Sequence, residues 1–527
     1  MADDHFSYLI VHAENGRITD LLRYGMFGNK ASGAKFLQSS HPHIIQEELL
    51  SLGGLGQEAG ETPDHRWVIV VSILMRKLIK IFGKPMEWTG YVVDFILNLL
   101  SLNGNLLGLF ANLLLVSIFE SKIDVLDCIE EAGKVVIPRR GSATFISTIG
   151  HIDGRIDLDP GDVFVAEKDV SKLGERVDAG NKSLMDLCMM ASKLAYENAN
   201  VIKNVVNLHW KMDFVDFYDC WNDYQKERST QVFIFCDKQK DANLIVVSFR
   251  GTEPFDADDW ITDFDYSWYD IPKLGKLHMG FLEALGLGNR SNPSSFQQIL
   301  QAKNGFDEKE TQRFPEMVEM TAYFAVRSKL KSLLKEHTNA KFMVTGHSLG
   351  GALAILFPTV LVLHEEEEVL ERLLGVHTFG QPRVGNRQLG RYMESRLEEP
   401  IPKYYRVVYC NDIVPRLPYD NKTFLYKHFG VCLYYNSFFV GQKVEEEPNR
   451  NYYGLWYLIP EYVNAVWELM RGLGMGRRYG AEYKESWEGI MMRIMGLVIP
   501  GVSAHAPPNY INSIRLGKLR HIQMSTL

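Results

Sequence analysis

A short run at 341–345 (Lys-Phe-Met-Val-Thr) meets Gly-His-Ser-Leu-Gly at 346–350, and from Leu349 to about 364 the chain is almost wholly apolar. Run length predicts a buried strand passing directly into a buried helix, because only the second stretch is long enough for several helical turns. A turn that sharp has no room for side chains at its flanks, which accounts for Gly346 and Gly350.

Downstream and upstream of this turn the pattern keeps alternating between short strands and helices. Residues 232–236 and 244–249 read as paired strands joined by a polar turn at 237–243. Strands are also expected at 375–379 and 404–409, and a long helix at 316–337 leads into the central turn. From 183 the apolar positions Leu184, Leu187, Met190, Leu194 and Ala195 recur on one helical face. The aromatic-rich stretch 197–224 reads as a continuation of that helical packing. Between 253 and 268, Trp260, Ile261, Phe264 and Trp268 share one helical face, with Asp256, Asp259 and Asp263 elsewhere. Such an amphipathic segment predicts a lid; the alternative is a surface helix packed permanently. Two stretches read as insertions, at about 288–315 and 437–500, and the second carries amphipathic runs at 462–470 and 487–497.

The first third of the chain follows another pattern. Residues 67–75 are apolar and lead into Arg76, Lys77, Lys80 and Lys84. An uncharged, Leu-rich run from 95 to 119 is long enough to cross the roughly 30 Å of a bilayer core as a helix. Asn98, Asn103, Gly104, Asn105, Gly108 and Asn112 interrupt it, and Asn-Gly-Asn at 103–105 predicts a turn or kink. Three arrangements stay open: a hairpin dipping into a lipid monolayer, a buried helix pair, or a true span. The hairpin is preferred, and the basic residues upstream suit an anionic surface. The region 1–183 is therefore expected to carry a membrane or lipid-droplet association segment at about 67–119, ahead of a catalytic domain at 184–527. Residues 1–64 suggest no chemistry, and 120–180 offer only weak strand candidates at 133–138 and 162–166.

Composition narrows the partners. A net charge of −8 over 527 residues, with no long basic block, argues against nucleic acid. The six cysteines form no C-x-x-C pair, so neither a zinc site nor a disulfide scaffold is indicated. With no H-E-x-x-H and no Walker loop, no metal or cofactor is expected. The opening Met-Ala-Asp-Asp-His does not resemble a signal peptide, which predicts synthesis in the cytosol.

The chemistry centres on Ser348. Gly-x-Ser-x-Gly between an apolar strand and helix is the nucleophile-elbow pattern, and the amide of Leu349 would face the oxyanion formed by attack. A serine needs a base, and the base needs an orienting carboxylate. In this arrangement the chain order is Ser, Asp or Glu, then His. That order selects Asp412, just past the 404–409 strand, and one of His428, His505 and His521. His505, on a loop after the last insertion, is preferred as the residue a final strand would deliver; His428 reads as structural. Thr252, after Phe-Arg-Gly at 249–251, is the candidate second oxyanion donor.

Four blocks together resemble the class 3 lipase family: Phe-Arg-Gly-Thr at 249–252, Gly-His-Ser-Leu-Gly-Gly-Ala-Leu-Ala at 346–354, Phe-Gly-Gln-Pro-Arg-Val-Gly at 379–385 and Asn-Asp-Ile-Val-Pro-Arg-Leu-Pro at 411–418. The apolar N-terminal region and Tyr-Lys-His-Phe-Gly at 426–430 look more like its plant branch, the oil body lipases. The resemblance implies an α/β-hydrolase fold with a lid, a Ser348–Asp412–His505 triad and an oxyanion hole at Thr252 and Leu349. It also implies hydrolysis of acylglycerols on the cytosolic face of lipid droplets or the endoplasmic reticulum. It covers about 184–527; the separation of Asp412 from His505 is longer than in the fungal members, and 1–183 lies outside their blocks. Phospholipase A1 or galactolipase activity on the same scaffold is an alternative, as is a non-catalytic lipase-like signalling scaffold. Oligomeric state is not encoded in these patterns.

Overall fold

A computed structural model describes residues 6–40, 66–120, 135–159, 181–301, 321–397, 401–418, 425–448 and 455–519. Its strands are β1 (Ser7–Val11), β2 (Leu37–Ser39), β3 (Asp213–Asn222), β4 (Glu227–Cys236), β5 (Leu244–Phe249), β6 (Trp268–Ile271), β7 (Gly275–His278), β8 (Lys341–His347), β9 (Leu373–Phe379), β10 (Tyr404–Tyr409), β11 (Val431–Tyr435), β12 (Val440–Val444) and β13 (Lys518–Leu519). Nine form one sheet, in the order β13-β12-β11-β10-β9-β8-β5-β4-β3. Its centre, β5-β8-β9-β10-β11, is parallel, and β4 and β3 extend it antiparallel.

Side chains of the central strands alternate between two apolar layers, as a pleated strand buried on both faces requires. Phe342 and Val344 of β8 point into the layer containing helix Leu349–Leu363 and helix Ala322–Glu336. Met343 points the other way, toward helix Lys182–Leu194 and helix Pro507–Leu516. Helix Leu349–Leu363 is apolar on all sides because it is buried on all sides, from Leu349 through Val362. This is the expected α/β-hydrolase arrangement, with Ser348 where the central strand becomes a helix.

The stretch 197–224 departs from expectation. It opens with helix Ala199–Asn204, but Asp213–Asn222 is the edge strand β3. A bulge between Phe214 and Asp216 puts Phe214 and Phe217 on the same face, so a strand imitates helical spacing. Residues 135–138 of the expected 133–138 strand are not a strand, and 162–166 lies outside the described residues. The insertion at 437–500 contributes β12 to the sheet before its helices, Leu455–Tyr479 and Trp487–Met495. In the 288–315 insertion, Ser294–Leu300 is helical and 302–315 lies outside the described residues.

A second, antiparallel sheet has the order β2-β1-β6-β7. It pairs β1 with β6, so the expected division at residue 183 is crossed by backbone hydrogen bonds. Helix Arg66–Leu102 crosses it too. Ser72 donates to the carbonyl of Phe264 (2.6 Å), and buried Arg76 donates to the Val11 carbonyl and to Asp265, both at 2.9 Å. Further along, a Cβ added at Gly83 would lie 3.2 Å from Ala257 Cβ, and one at Gly90 would lie 2.6 Å from Phe255 Cβ. The opposite face exposes Trp67, Leu78, Ile81, Phe82 and Trp88.

At the expected turn, 103–105, helices Arg66–Leu102 and Asn105–Leu114 meet at a 74° bend. Asn98 and Asn103 dock the helix: each exchanges two hydrogen bonds with one backbone unit, at Ile146 (2.8 and 2.8 Å) and Val136 (2.9 and 2.9 Å) respectively. Among the described residues no single helix is long and apolar enough to cross a membrane, although this bent pair together has the length and composition to do so.

Candidate active site

The elbow explains its glycines quantitatively. A Cβ on Gly346 would stand 2.1 Å from the Gly350 carbonyl oxygen, and one on Gly350 would stand 2.3 Å from that of Phe249. Ser348 between them has φ 59° and ψ −134°, a conformation costing on the order of 1–3 kcal/mol for a residue with a side chain. The surroundings hold it there. The Ser348 N–H donates to Phe379 O on β9 (2.9 Å), and its carbonyl accepts from Gly351 N–H (2.9 Å) as the helix starts. Leu349 is the first helical residue, so its N–H has no acceptor within the helix. Gly251 lies against the elbow: a Cβ there would be 2.9 Å from Ser348 Cβ and 2.4 Å from the His347 carbonyl oxygen. That contact brings the Thr252 backbone to the same end of the sheet.

Asp412 follows β10 and is fully buried. Its Oδ1 accepts from Val414 N–H (2.9 Å); its Oδ2 accepts from His505 Nδ1 (2.7 Å) and from the Tyr510 hydroxyl. Because the carboxylate can only accept, the His505 proton sits on Nδ1, leaving the Nε2 lone pair free to take a proton. Ser348 Oγ and His505 Nε2 are both buried, and neither has a hydrogen-bond partner among the described residues. Such contacts commonly close only when substrate binds. Gly380, at φ +60°, makes space for the pair: a Cβ there would be 2.9 Å from both Asp412 Oδ2 and His505 Cε1.

His505 arrives differently from expectation. It caps the short helix Pro500–Ala504 and precedes helix Pro507–Leu516; β13 comes later. Ile413 N–H reaches the Gly501 carbonyl (3.4 Å), joining the Asp412 and His505 loops. His428 is buried elsewhere, its Nε2 against the Pro415 carbonyl (2.7 Å), and burial holds its pKa well below the usual imidazole value. His521 lies outside the described residues.

The lid candidate is shorter than its apolar pattern. Only Ala257–Asp263 is helical, capped by Asp256, and Trp268 is instead the first, buried residue of β6. Trp260 packs on Ile413 and Val414 beside the Asp412 loop. Ile261 and Phe264 are half-buried. The inward residues of the helix include acids. Thr252 Oγ1 donates to buried Asp263 (3.1 Å), and Asp259 lies 3.9 Å from Arg250. Burial pushes the Asp263 carboxyl up to about 7.

The sequence reading overlooked Tyr196, His347, Asp263 and Tyr510. His347 stood inside the elbow motif; Tyr510 contacts Asp412 across 98 residues, with no local pattern to reveal it.

Comparisons with known proteins bear on the family. A family model described as lipase (class 3) matches residues 246–422, from within β5 to just past the Asp412 loop. Triacylglycerol lipase OBL1 of Nicotiana tabacum is 59% identical over 565 residues, covering 98% of this chain and 96% of that protein. Triacylglycerol lipase OBL1 of Arabidopsis thaliana is 56% identical over 526 residues, covering 99% and 97%. Among solved structures, the triacylglyceride lipase of Rhizomucor miehei aligns with 49% of this chain and 81% of its own, at 24% identity and a TM-score of 0.33. With full-length relatives at that identity, and with the family's block spanning the elbow and Asp412, the chain belongs to the class 3 lipase family.

Proposed function

We propose that the protein hydrolyses the carboxylic esters of acylglycerols, triacylglycerol first among them, with Ser348 as nucleophile, His505 as base and Asp412 as its orienting carboxylate. The observation that carries this is the Asp412–His505 bond at 2.7 Å, which leaves Nε2 unpartnered in the same buried site as the strained Ser348. In this reading Nε2 takes the Ser348 proton as Oγ attacks the ester carbonyl. The oxyanion is received by the Leu349 and Thr252 amides, each such donor contributing about 10²–10³ in kcat. The imidazolium then protonates the leaving alcohol, and water repeats the cycle on the acyl-serine. The relatives named triacylglycerol lipase support the choice of substrate.

The same proposal places the work at a lipid surface, a droplet or a membrane. Two groups of exposed apolar side chains support it: one on helix Arg66–Leu102 and Asn105–Glu120 (Trp88, Leu106, Leu107, Phe110), the other on the 455–499 helices (Trp456, Ile459, Val463, Trp487). Segment 253–264 is the lid, and helix Arg66–Leu102 braces it through Gly83 and Gly90. The deciding experiment compares wild type with Ser348→Ala on emulsified triacylglycerol, phospholipid and galactolipid. Hydrolysis of triacylglycerol by wild type alone is expected. Activity surviving in Ser348→Ala would overturn the nucleophile, and a preference for either polar lipid would overturn the substrate.

A further inference from the structure

His347 stands between the nucleophile and the base, and the reading above gives it no role. It is buried, one residue before Ser348, and its ring stacks on the His505 ring with centroids 4.5 Å apart. Its Nε2 lies 2.9 Å from the backbone carbonyl oxygen of His505, and its Nδ1 lies 2.9 Å from the Tyr196 hydroxyl. A carbonyl only accepts, so Nε2 carries the proton and donates. Burial and the neighbouring His505 keep the ring neutral, with a pKa well below the usual imidazole value. Nδ1 is then an acceptor, and Tyr196 must donate to it. Tyr196 is itself buried at the end of helix Lys182–Leu194, and burial raises its phenol so that the proton stays in place.

The polarity of this chain is therefore fixed: Tyr196 hydroxyl to His347 Nδ1, His347 Nε2 to the His505 carbonyl. It touches each part of the candidate machinery. The Tyr196 oxygen would be 2.2 Å from a Cβ on Gly251, so it abuts the loop carrying Thr252. His347 is joined to Ser348 by a peptide bond. Asp412 orients the side chain of His505 but does not hold its backbone, and the His347 bond does that.

The geometry points to Tyr196 and His347 as positioning residues: together they set the distance and orientation of His505 relative to Ser348. This rests on the triad reading and deepens it. Without the Tyr196 hydroxyl, His347 Nδ1 has no donor to hold the ring's orientation, so Nε2–H is no longer fixed on the His505 carbonyl and the tether between base loop and elbow loosens. A misplacement of about 1 Å is enough to cost on the order of 10² in rate. The cost should appear in the chemical step, since both rings are buried and act through the His505 backbone.

The test uses the full chain with Tyr196→Phe, His347→Phe and His347→Gln, assayed on a water-soluble short-chain ester. Functional sites are counted by titration with a serine-reactive phosphonate, and thermal stability is measured alongside. Tyr196→Phe is expected to lower kcat per titrated site about 10-fold and His347→Phe about 100-fold, with KM within twofold. His347→Gln, whose side-chain amide can still donate to the carbonyl, is expected to recover much of the loss. The proposal is overturned if kcat per titrated site stays within twofold in both Phe variants. It is also overturned if the loss falls on KM, or if His347→Gln is no better than His347→Phe. Ser348→Ala is run in parallel: its inactivity beside fully active Phe variants defeats this inference alone, whereas its activity defeats the triad reading.

Discussion

At the scale of single residues, the site is a set of backbone solutions to a crowding problem. Gly346, Gly350 and Gly380 each leave out a side chain that would collide with a reacting or supporting group, which is why the elbow could be read from the chain directly. Histidine choice was half legible. Chain order admits His428, His505 and His521 alike, and the loop position after the last insertion favours His505; the side chain that holds Asp412, Tyr510, lies 98 residues from it and sends no local signal. Expected outcomes follow for both histidines and for Asp263. His505→Ala should match Ser348→Ala in lost kcat, because the members of the proposed triad would act as a unit. His428→Ala should mainly lower unfolding stability, by about 1–3 kcal/mol, through the orphaned Pro415 carbonyl; urea unfolding beside steady-state rates separates the two. For Asp263, the folded pKa of about 7 stands above its ordinary value of 3.8 because of burial. A raised acid binds its proton more tightly in the buried state, so the closed Thr252–Asp263 contact is fully favoured below about pH 4. It loses that advantage as pH rises to about 7. The ratio of soluble-ester to emulsion activity should therefore climb between pH 5 and 8 in wild type and flatten in Asp263→Asn.

At the scale of elements, the strands that alternate cleanly between two apolar layers, β5 and β8 above all, were visible as short apolar runs. The edge strand β3 was not, because its bulge shifts the alternation and produces a helical spacing of aromatics. The proposed lid shows the same limit in another form. Its apolar face was legible, but its hold on the site runs through Asp263 and Asp259, whose pairing with Thr252 and Arg250 depends on tertiary placement. Its contact with helix Arg66–Leu102 depends on two glycines that look like mere interruptions in an apolar sequence. Gly90→Ala puts a methyl 2.6 Å from Phe255 Cβ, too close to be tolerated without displacing the lid segment. The expected result is faster labelling of Ser348 by a phosphonate in lipid-free buffer, at least threefold, with little change once droplets are added. An unchanged labelling rate would count against the brace.

At the scale of the whole molecule, the N-terminal third is not an appendage. β1 joins a sheet with β6 and β7, and Arg76 is buried against Asp265, so deleting 66–120 would strip supports from the proposed lid along with any docking surface. Point changes on the outer face are the cleaner probe. Phe82→Glu with Trp88→Glu alters two exposed side chains, so thermal stability should hold. Each loses an apolar contact with lipid worth roughly 25 cal/mol per Å² buried. Co-flotation with phospholipid-coated triacylglycerol droplets should fall by at least tenfold, while hydrolysis of a soluble ester stays near wild type.

Helix Arg66–Leu102 carries segment 253–264, the proposed lid, on one side and exposed apolar residues on the other, and a rigid body with two such faces imposes reciprocity. Whatever factor lipid contact applies to the open-to-closed ratio of the lid, opening must apply the same factor to the affinity for lipid. On the proposed reading, an enzyme molecule whose lid is wedged open by a covalently attached long acyl phosphonate should leave a droplet more slowly than one bearing a small phosphonate. Residence on the surface and readiness to react would then be two measurements of one coupling free energy.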